Sequence, residues 1–253
     1  MNIDLKGKTA VVTGASGELG RVISRTLAEC GARLALQYLN NEAKAQAVAD
    51  EIAKLGGQAK IFRADVTVED SVKKMGEAVQ KVFGDADIIV NNAVIQYAWT
   101  SVLNQNPEDY ESQFRSCVLH NVFMAKTFAP GMIKKKSGRI IAINTECAMQ
   151  NTPTQSAYVS GKRGMDGVLR VLAREIGEHQ ITVNQVAPGW MISERYREAG
   201  NERNEAYEKN VPLRRRGHDQ DVANLVAYLA SDLANFISGA YISVSGGNVM
   251  PAI

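Results

Sequence analysis

Short apolar runs alternate with longer amphipathic stretches along almost the whole chain. Gly, Asp, Asn or Pro bounds each run, and the alternation is typical of strands in a parallel sheet buried on both faces. The pattern predicts seven strands, at residues 9–13, 33–37, 59–63, 88–90, 139–143, 182–186 and 241–244.

The stretches between the runs carry apolar residues at three- and four-residue spacing, for example at 42–55 and 71–83. This period predicts crossover helices that pack one face on a sheet. The sequence therefore predicts a doubly wound α/β fold of the Rossmann type. No linker or repeat breaks the alternation, so we expect a single domain over residues 1–253. The polar segment within 190–212 is interpreted either as a mobile substrate lid or as a solvated helical insertion.

Composition excludes several classes of protein. Hydrophobic residues make up 45% of the chain and the formal net charge is +2, so we expect a folded protein with no bulk attraction to nucleic acid or acidic membranes. The basic runs at 134–136 and 214–216 lack interleaved aromatics, and we interpret them as solvated faces. No apolar stretch approaches the roughly 18 residues that span a bilayer.

The cysteine and histidine patterns add two further expectations. Cys30, Cys117 and Cys147 lie far apart, and the beginning of the chain shows neither a secretory signal nor a transit peptide. Both observations favour a reducing, cytoplasmic location. The three histidines have no metal-like spacing with Cys or carboxylates, so no metal site is expected.

A glycine-rich turn, TGASGELG at 13–20, follows the first predicted strand and leads into the predicted helix 21–30. Glycines at this place let the backbone approach a pyrophosphate, while the helix N-terminus supplies N–H groups and a positive dipole end. The alternative is a plain tight turn between a strand and a helix.

This turn resembles the T-G-x-x-x-G-x-G motif of the short-chain dehydrogenase/reductase family. Further landmarks of that family are Asp65-Val66, NNAV at 91–94, VNQVAPG at 183–189 and VSGG at 244–247. One departure concerns the turn itself, because Glu18 stands where the family has its middle glycine. A carboxylate repels a pyrophosphate, so Glu18 must point away, be neutralised by a cation, or weaken the site.

The resemblance extends to the family's Y-x-x-x-K motif, here YVSGK at 158–162. A spacing of four places Tyr158 and Lys162 on one helix face, where the ammonium is expected to lower the pKa of the phenol. Thr145 stands thirteen residues before Tyr158, where the family has a serine that binds the substrate oxygen. The family's relay asparagine corresponds to Cys117, a poor substitute, and Asn121 lies one helical turn further along.

The resemblance also implies a set of cofactor-binding residues. Asp65 is expected to bind the adenine, Asn91 to line the ribose side, Lys162 to hold the nicotinamide ribose and Ser193 to contact the carboxamide. The complete set is Gly14, Ser16, Glu18, Leu19, Gly20, Tyr38, Asp65, Val66, Asn91, Ala93, Lys162, Pro188, Gly189 and Ser193. Residues 37–40 contain no acid for a ribose 2′-hydroxyl, which leans slightly toward NADP, although either NADP or NAD remains open.

These features predict an NAD(P)-dependent oxidoreductase acting on a carbonyl or alcohol, with Tyr158 as acid/base and Lys162 and Thr145 assisting. Similar sequences are 3-oxoacyl-carrier-protein reductases and sugar dehydrogenases. We expect a pocket lined by Gln96, Tyr97, Cys147, Gln155 and Trp190, with Arg195 or Arg197 available to an anionic group. The alternative is a dinucleotide-binding protein of low or no activity, serving as a sensor or assembly subunit. The resemblance further implies a homotetramer, with the tail 248–253 at an interface.

Overall fold

The computed structural model describes residues 2–250, and the last three residues of the tail lie outside the described part. Its seven strands form one parallel sheet in the order β3-β2-β1-β4-β5-β6-β7. The strands are β1 Thr9–Val12, β2 Arg33–Tyr38, β3 Gln58–Arg63, β4 Ile88–Asn91, β5 Gly138–Ile143, β6 Ile181–Pro188 and β7 Tyr241–Val244. The prediction of a doubly wound, seven-stranded Rossmann fold is confirmed.

Burial explains why the apolar runs are continuous. The strands β1, β4, β5 and β6 are buried along their whole length, because helices cover both faces of the sheet. The edge strands β3 and β7 are only partly buried. Two hydrophobic cores follow, one on each side of the sheet.

The three helices predicted at 21–30, 42–55 and 71–83 are present at Glu18–Glu29, Glu42–Lys54 and Glu69–Phe83. The helices are α1 Glu18–Glu29, α2 Glu42–Lys54, α3 Glu69–Phe83, α4 Pro107–Gln113, α5 His120–Lys135, α6 Cys147–Gln150, α7 Ser156–Ile176, α8 Glu194–Glu198, α9 Glu205–Glu208 and α10 Asp219–Ala230. A π-helical segment, Phe114–Leu119, joins α4 to α5, and short 3₁₀ turns cover Gly177–His179 and Asp232–Ala234. The π segment is the feature that the amphipathic period did not predict.

Of the two basic runs, Lys134–136 is exposed, whereas the prediction of a solvated face at 214–216 is wrong for Arg216. The Arg216 side chain is 2% exposed and donates hydrogen bonds to the backbone carbonyls of Trp190, Met191, Asn201 and Glu202. A guanidinium can be buried in this way because carbonyl oxygens replace its water ligands. Among residues 2–250, no helix is both long and apolar enough to cross a bilayer.

Candidate active site

A cavity of about 690 Å³ opens at the carboxyl ends of the central strands. It lies where the strand order reverses, since β1 pairs with β2 on one side and with β4 on the other. In open α/β sheets this crevice is the usual ligand site, because the loops from neighbouring strands diverge there. The topology therefore places the cavity before any side chain is considered.

The glycine-rich turn forms one wall of this cavity. Gly14 has φ +62°, and a Cβ there would lie 3.0 Å from the Cα of Ala93. A Cβ on Gly20 would lie 2.2 Å from the carbonyl oxygen of Gly14, so only glycine allows α1 to pack this closely on the turn. The first N–H groups of α1 have no intrahelical partners and stand at the positive end of the helix dipole. The turn and the cavity together fit the pyrophosphate of a dinucleotide.

Glu18 is the first residue of α1 and lines the cavity. Partial burial by itself raises the pKa of its carboxyl. Hydrogen bonds from the backbone N–H of Arg195, at 3.2 Å, and from Ser193 outweigh burial. With the charges of Arg21 and Arg195, these bonds hold the pKa of Glu18 below its ordinary value. Of the outcomes that the sequence left open, the structure thus shows a carboxylate that nearby cations and donors compensate.

Most of the residues predicted to bind a cofactor line this cavity. They are Gly14, Ser16, Glu18, Leu19, Tyr38, Asp65, Val66, Ala93, Lys162, Pro188 and Gly189. Three predicted residues do not line it. Gly20 lies behind the turn that it permits, Ser193 caps the start of α8, and Asn91 is buried beneath the floor. Asn92, next to Asn91, lines the cavity instead and donates hydrogen bonds to the backbone carbonyls of the turn.

The π segment sets the environment of the predicted relay position. Cys117 is 2% exposed, and its Sγ lies 3.9 Å from Oε1 of Gln113. Asn121 donates to the carbonyl of Cys117 at 2.6 Å and accepts from Asn91 at 2.7 Å. Both ends of the Asn121 amide are therefore engaged beneath the cavity. Ser116 is the residue of the π segment that lines the cavity.

Tyr158, Lys162 and Thr145 come together at the inner end of the cavity. Helix α7 carries Tyr158 and Lys162 one turn apart, with the Lys162 Nζ 5.7 Å from the centre of the Tyr158 ring. The same Nζ donates to the backbone carbonyl of Ile143 at 2.5 Å, which fixes the ammonium against the end of β5. Thr145 follows β5 and lines the cavity with Tyr158, and its hydroxyl accepts a hydrogen bond from the backbone N–H of Cys147 at 3.2 Å.

The expected lowering of the Tyr158 pKa is not found. Burial of the ring raises the pKa of Tyr158 well above its ordinary value, and the nearby Thr145 side chain opposes this only in part. Burial also lowers the pKa of Lys162. The reason is that neither charged form is well solvated in this corner, so desolvation outweighs the helix-turn proximity of the two groups.

A second cavity, of about 540 Å³, meets the first beside Tyr158 and Thr145. Thr145 and Tyr158 line both cavities. The structure places all five predicted pocket residues around this second cavity: Gln96, Tyr97, Cys147, Gln155 and Trp190. Trp99 covers the outer side, stacked on Tyr158 with ring centres 6.1 Å apart. The hydroxyl groups of Thr145 and Tyr158 therefore lie where the two cavities meet.

Glu146, a residue that sequence reasoning missed, is buried in the wall of the second cavity. Its carboxylate accepts hydrogen bonds from the Tyr207 hydroxyl at 2.8 Å and from the Asn248 amide at 3.0 Å. Burial raises the pKa of Glu146, and these bonds oppose the rise. The carboxylate thus links the end of β5 to α9 and to the C-terminal segment. The sequence did offer one signal for this residue, an acidic side chain directly after Thr145 and close to the apolar strand β5.

The two arginines suggested for an anionic substrate group do not line the second cavity. Arg197 is paired with the buried carboxylate of Asp219 at 2.8 Å. The guanidinium of Arg195 lies 5.4 Å from the centre of the Tyr196 ring. The guanidinium carbon of buried Arg216 lies 4.3 Å from the centre of the Tyr196 ring. Through these contacts, basic residues help to hold the short helix α8 of the polar segment in place.

A cation next to Tyr38 and Leu39, two residues that line the first cavity, was also missed. Arg63 ends β3, directly opposite Tyr38 in the register of the two strands. Its Nε donates to the carbonyl of Leu39 at 3.2 Å, and its side chain is exposed. Because Arg63 comes from a neighbouring strand, inspection of the residues after Gln37 alone did not reveal it. Among residues 2–250, no cluster of His, Cys, Asp or Glu has the arrangement of a metal site.

Fold and site together define a dinucleotide-binding α/β protein with a tyrosine–lysine pair at the junction of two cavities. The family model described as enoyl-(acyl carrier protein) reductase matches residues 14–248. The 3-oxoacyl-[acyl-carrier-protein] reductase FabG of Staphylococcus epidermidis is 36% identical over 254 residues, which cover 96% of this chain and 99% of that protein. The FabG protein of Escherichia coli K12 is 35% identical over 98% of this chain and 100% of its own.

Solved structures agree with these relatives. A short-chain dehydrogenase/reductase mutant of Serratia marcescens superposes with a TM-score of 0.88 at 28% identity, covering 96% of this chain and 98% of that one. A dehydrogenase/reductase of Sinorhizobium meliloti gives a TM-score of 0.89 at 29% identity, covering 98% of both chains. The chain belongs to the short-chain dehydrogenase/reductase family. It is accordingly an NAD(P)-dependent oxidoreductase.

Proposed function

We propose that this protein interconverts a carbonyl and an alcohol, with Tyr158 exchanging the proton at the substrate oxygen. One observation carries the proposal: the hydroxyl groups of Tyr158 and Thr145 lie together where the cofactor-sized cavity meets the second cavity. A substrate oxygen at that junction is within reach of both hydroxyls. When bound, the nicotinamide ring supplies or accepts the hydride.

Each residue of the corner has a distinct part in this proposal. Tyr158 donates its proton to the substrate oxygen during reduction and receives it back during oxidation. Thr145 orients the same oxygen through its hydroxyl. Lys162, fixed by the Ile143 carbonyl, stands beneath the tyrosine and carries the positive charge that stabilises a developing phenolate. Two hydroxyls at one point suit a carbonyl oxygen, which favours C=O over C=C as the reacting bond.

The residues that line the first cavity are proposed to hold the cofactor. The turn from Gly14 to Gly20 receives the pyrophosphate, with Ser16 and Leu19 at its edge. Asp65 and Val66 lie on the adenine side, and the Asp65 carboxylate is oriented by hydrogen bonds from Thr67. Exposed Arg63 beside Tyr38 supports NADP, because a guanidinium pairs well with a 2′-phosphate.

The activity is tested first by binding of NADPH and NADH to the purified protein, measured by titration calorimetry. Reduction of a panel of ketones follows, in the wild type and in Tyr158→Phe. The proposal predicts binding of at least one cofactor to both proteins and loss of hydride transfer in the variant alone. Undiminished turnover by Tyr158→Phe contradicts the proton-transfer role. Cofactor binding without reduction of any ketone favours the sensor or assembly alternative, and failure to bind either cofactor contradicts both proposals.

The segment within 190–212 is proposed to act as the substrate lid. Trp190, Tyr196 and Tyr207 of this segment line the second cavity, so a displacement of α8 and α9 would open it. The lid interpretation predicts faster hydrogen exchange in 194–209 than in α7, and slower exchange once cofactor and substrate are bound.

A homotetramer in the cytoplasm is proposed from the family resemblance. An apolar groove on α5 and α7, with Val171 at 55% exposure, supports association of copies through these helices. The three cysteines are unpaired among the described residues, which suits a reducing compartment. Light scattering on the purified protein tests the assembly, because the proposal requires a mass four times that of the chain.

A further inference from the structure

The second cavity carries an unusual set of polar groups for a ketone pocket. Glu146 is the one ionisable carboxylate among its lining residues, and no Lys, Arg or His of residues 2–250 lines it. Two cations lie just outside it. Lys162 lines the first cavity and donates to the Ile143 carbonyl, and Arg216 lies behind the Trp190 ring and is engaged by backbone carbonyls. An anionic substrate group inside the second cavity would therefore meet a carboxylate, with no described cation lining the cavity to pair with it.

Gln155 supplies the second observation. Its side chain is 8% exposed, it lines the cavity, and its Oε1 has no hydrogen-bond partner in the described protein. A buried acceptor without a partner is unfavourable, because it has lost its hydrogen bonds to water. A ligand that donates a hydrogen bond at this position recovers that cost.

The remaining walls are aromatic and fix the shape of the space. Trp99 stacks on Tyr158, and Trp190 meets Tyr207 edge to face with ring centres 5.5 Å apart. These rings form flat surfaces on either side of the catalytic hydroxyls and suit a compact ring or short branched ligand. Aromatic faces accept C–H groups and cations, and they repel anions.

We propose that the second cavity selects compact ketones carrying a hydrogen-bond donor, a hydroxyl or an ammonium group, which Gln155 receives, and that it disfavours anionic ketones. This inference deepens the proposed function and rests on it. The inference distinguishes two kinds of substrate. A ketone with a donor satisfies the Gln155 acceptor, whereas a ketone recognised only through a long acyl chain leaves that acceptor unsatisfied.

The test uses ring ketones of matched size with the cofactor that the protein binds. Cyclohexanone carries no donor, 4-hydroxycyclohexanone carries a hydroxyl, 4-piperidone carries an ammonium, and 4-oxocyclohexanecarboxylate carries an anion. The proposal predicts kcat/KM about 3- to 10-fold higher for a donor-bearing ring than for cyclohexanone, as one hydrogen bond allows, and lowest for the carboxylate. Comparison of the hydroxyl and ammonium rings identifies which donor the cavity prefers.

Gln155→Met is the decisive variant, because Met has nearly the volume of Gln and lacks the acceptor. The advantage of the donor-bearing ring over cyclohexanone is expected to fall to about unity in this variant. Gln46→Met provides the matched control, since Gln46 is exposed on α2 and pairs with Asp50 far from the cavity. The wild-type preference is expected to persist in the control.

The outcomes separate this inference from the proposed function. Three results overturn the inference while the proposed carbonyl reduction remains valid. They are equal kcat/KM for all four rings, a preference for the carboxylate ring, and a preference for the donor-bearing ring that survives Gln155→Met. Acetoacetyl-N-acetylcysteamine reduced more than tenfold better than the hydroxyl ring also overturns it. If no ketone is reduced, ligand binding is measured as the rise in the melting temperature of the protein. A rise with 1,4-cyclohexanediol that is absent with cyclohexanol and is lost in Gln155→Met supports the inference. Any other pattern rejects it.

Discussion

The hydroxyl of Tyr207 donates a 2.8 Å hydrogen bond to the buried carboxylate of Glu146, the residue directly after Thr145. This bond joins the polar segment around α9 to the segment after β5 that carries Thr145. The position of the substrate cavity wall is thereby coupled to the position of the active-site hydroxyl. The coupling gives the first prediction.

Removing the Tyr207 hydroxyl should loosen the cavity wall more than it affects the chemical step. Tyr207→Phe leaves a buried carboxylate oxygen without this donor, which costs about 1.5–3 kcal/mol of unfolding free energy. We expect KM to rise severalfold with a smaller change in kcat. Denaturant unfolding and steady-state kinetics measure the two effects.

Tyr228→Phe is the matched control for that prediction. Its hydroxyl makes a 3.3 Å bond near the surface to the carbonyl of Leu233, so its loss should change neither quantity appreciably. A double variant with Glu146→Gln completes the cycle. Additive effects of the two substitutions would show that Tyr207 and Glu146 are not coupled.

The second prediction concerns the protonation of Tyr158. Because burial raises the pKa of this phenol above its ordinary value of 10, the cofactor-free protein should show no Tyr158 titration below pH 10. The ultraviolet absorbance difference between wild type and Tyr158→Phe reports tyrosinate directly. A difference that titrates near neutral pH would mean that Lys162 outweighs burial, as the sequence alone had suggested.

The third prediction concerns the choice of cofactor. The exposed guanidinium of Arg63 lies beside Tyr38 and the Leu39 carbonyl, where a 2′-phosphate would be neutralised. Arg63→Ala should weaken NADPH binding about tenfold, the effect of one charged hydrogen bond, and leave NADH binding nearly unchanged. Calorimetric titration with both cofactors measures the difference.

Lys60→Ala is the control for that substitution, because Lys60 is an exposed cation on the same strand that pairs with Ala35. Arg63→Lys should retain part of the NADPH preference, since it keeps the charge and loses the planar fork. Equal weakening of NADPH and NADH in Arg63→Ala would point to a structural role for the arginine.

The fourth prediction concerns stability in acid. His120 is 1% exposed, its Nδ1 donates to the Ser116 carbonyl, and burial lowers its pKa from 6.5 to about 4. The folded state therefore binds this proton less readily than the unfolded state. The resulting stabilisation, about 3 kcal/mol, is present above pH 6.5 and is lost as the pH falls toward 4.

Thermal unfolding between pH 7.5 and 4.5 measures the loss. His120→Leu should lose less stability on acidification than the wild type, since it has no proton to take up on unfolding. His179→Gln, a change at a partly exposed histidine outside the core, should retain the wild-type slope. Identical slopes for wild type and His120→Leu would exclude His120 as the acid-sensitive group.

The fold follows from the sequence because its signals are local and repeated. The central strands β1, β4 and β5 are buried on both faces, so their residues are mostly apolar in succession, and the long helix α7 shows one apolar face. The role of Gly14 and Gly20 in the turn could also be predicted, because a close backbone approach excludes any other residue at these positions. Seven strands and the turn could therefore be predicted without knowing which strands pair.

The polar contacts could not be predicted in the same way. Arg216 belongs to a basic run that looks solvated, yet backbone carbonyls from distant residues surround its guanidinium. Arg63 and Tyr38 are far apart in the chain and meet only because β2 and β3 pair in register. Polar side chains reveal their partners only when the chain is folded, since the contact depends on non-local geometry.

The sequence by itself determined the doubly wound sheet, the glycine turn and the Tyr158–Lys162 pair, because spacing and burial period encode each of them. The tertiary structure alone decided that Glu18 is compensated by the start of α8, that Asn121 faces Asn91, and that Glu146 joins α9 to the end of β5. It also decided the protonation of Tyr158, because desolvation depends on every group packed around the ring and not on the nearest charge along the helix.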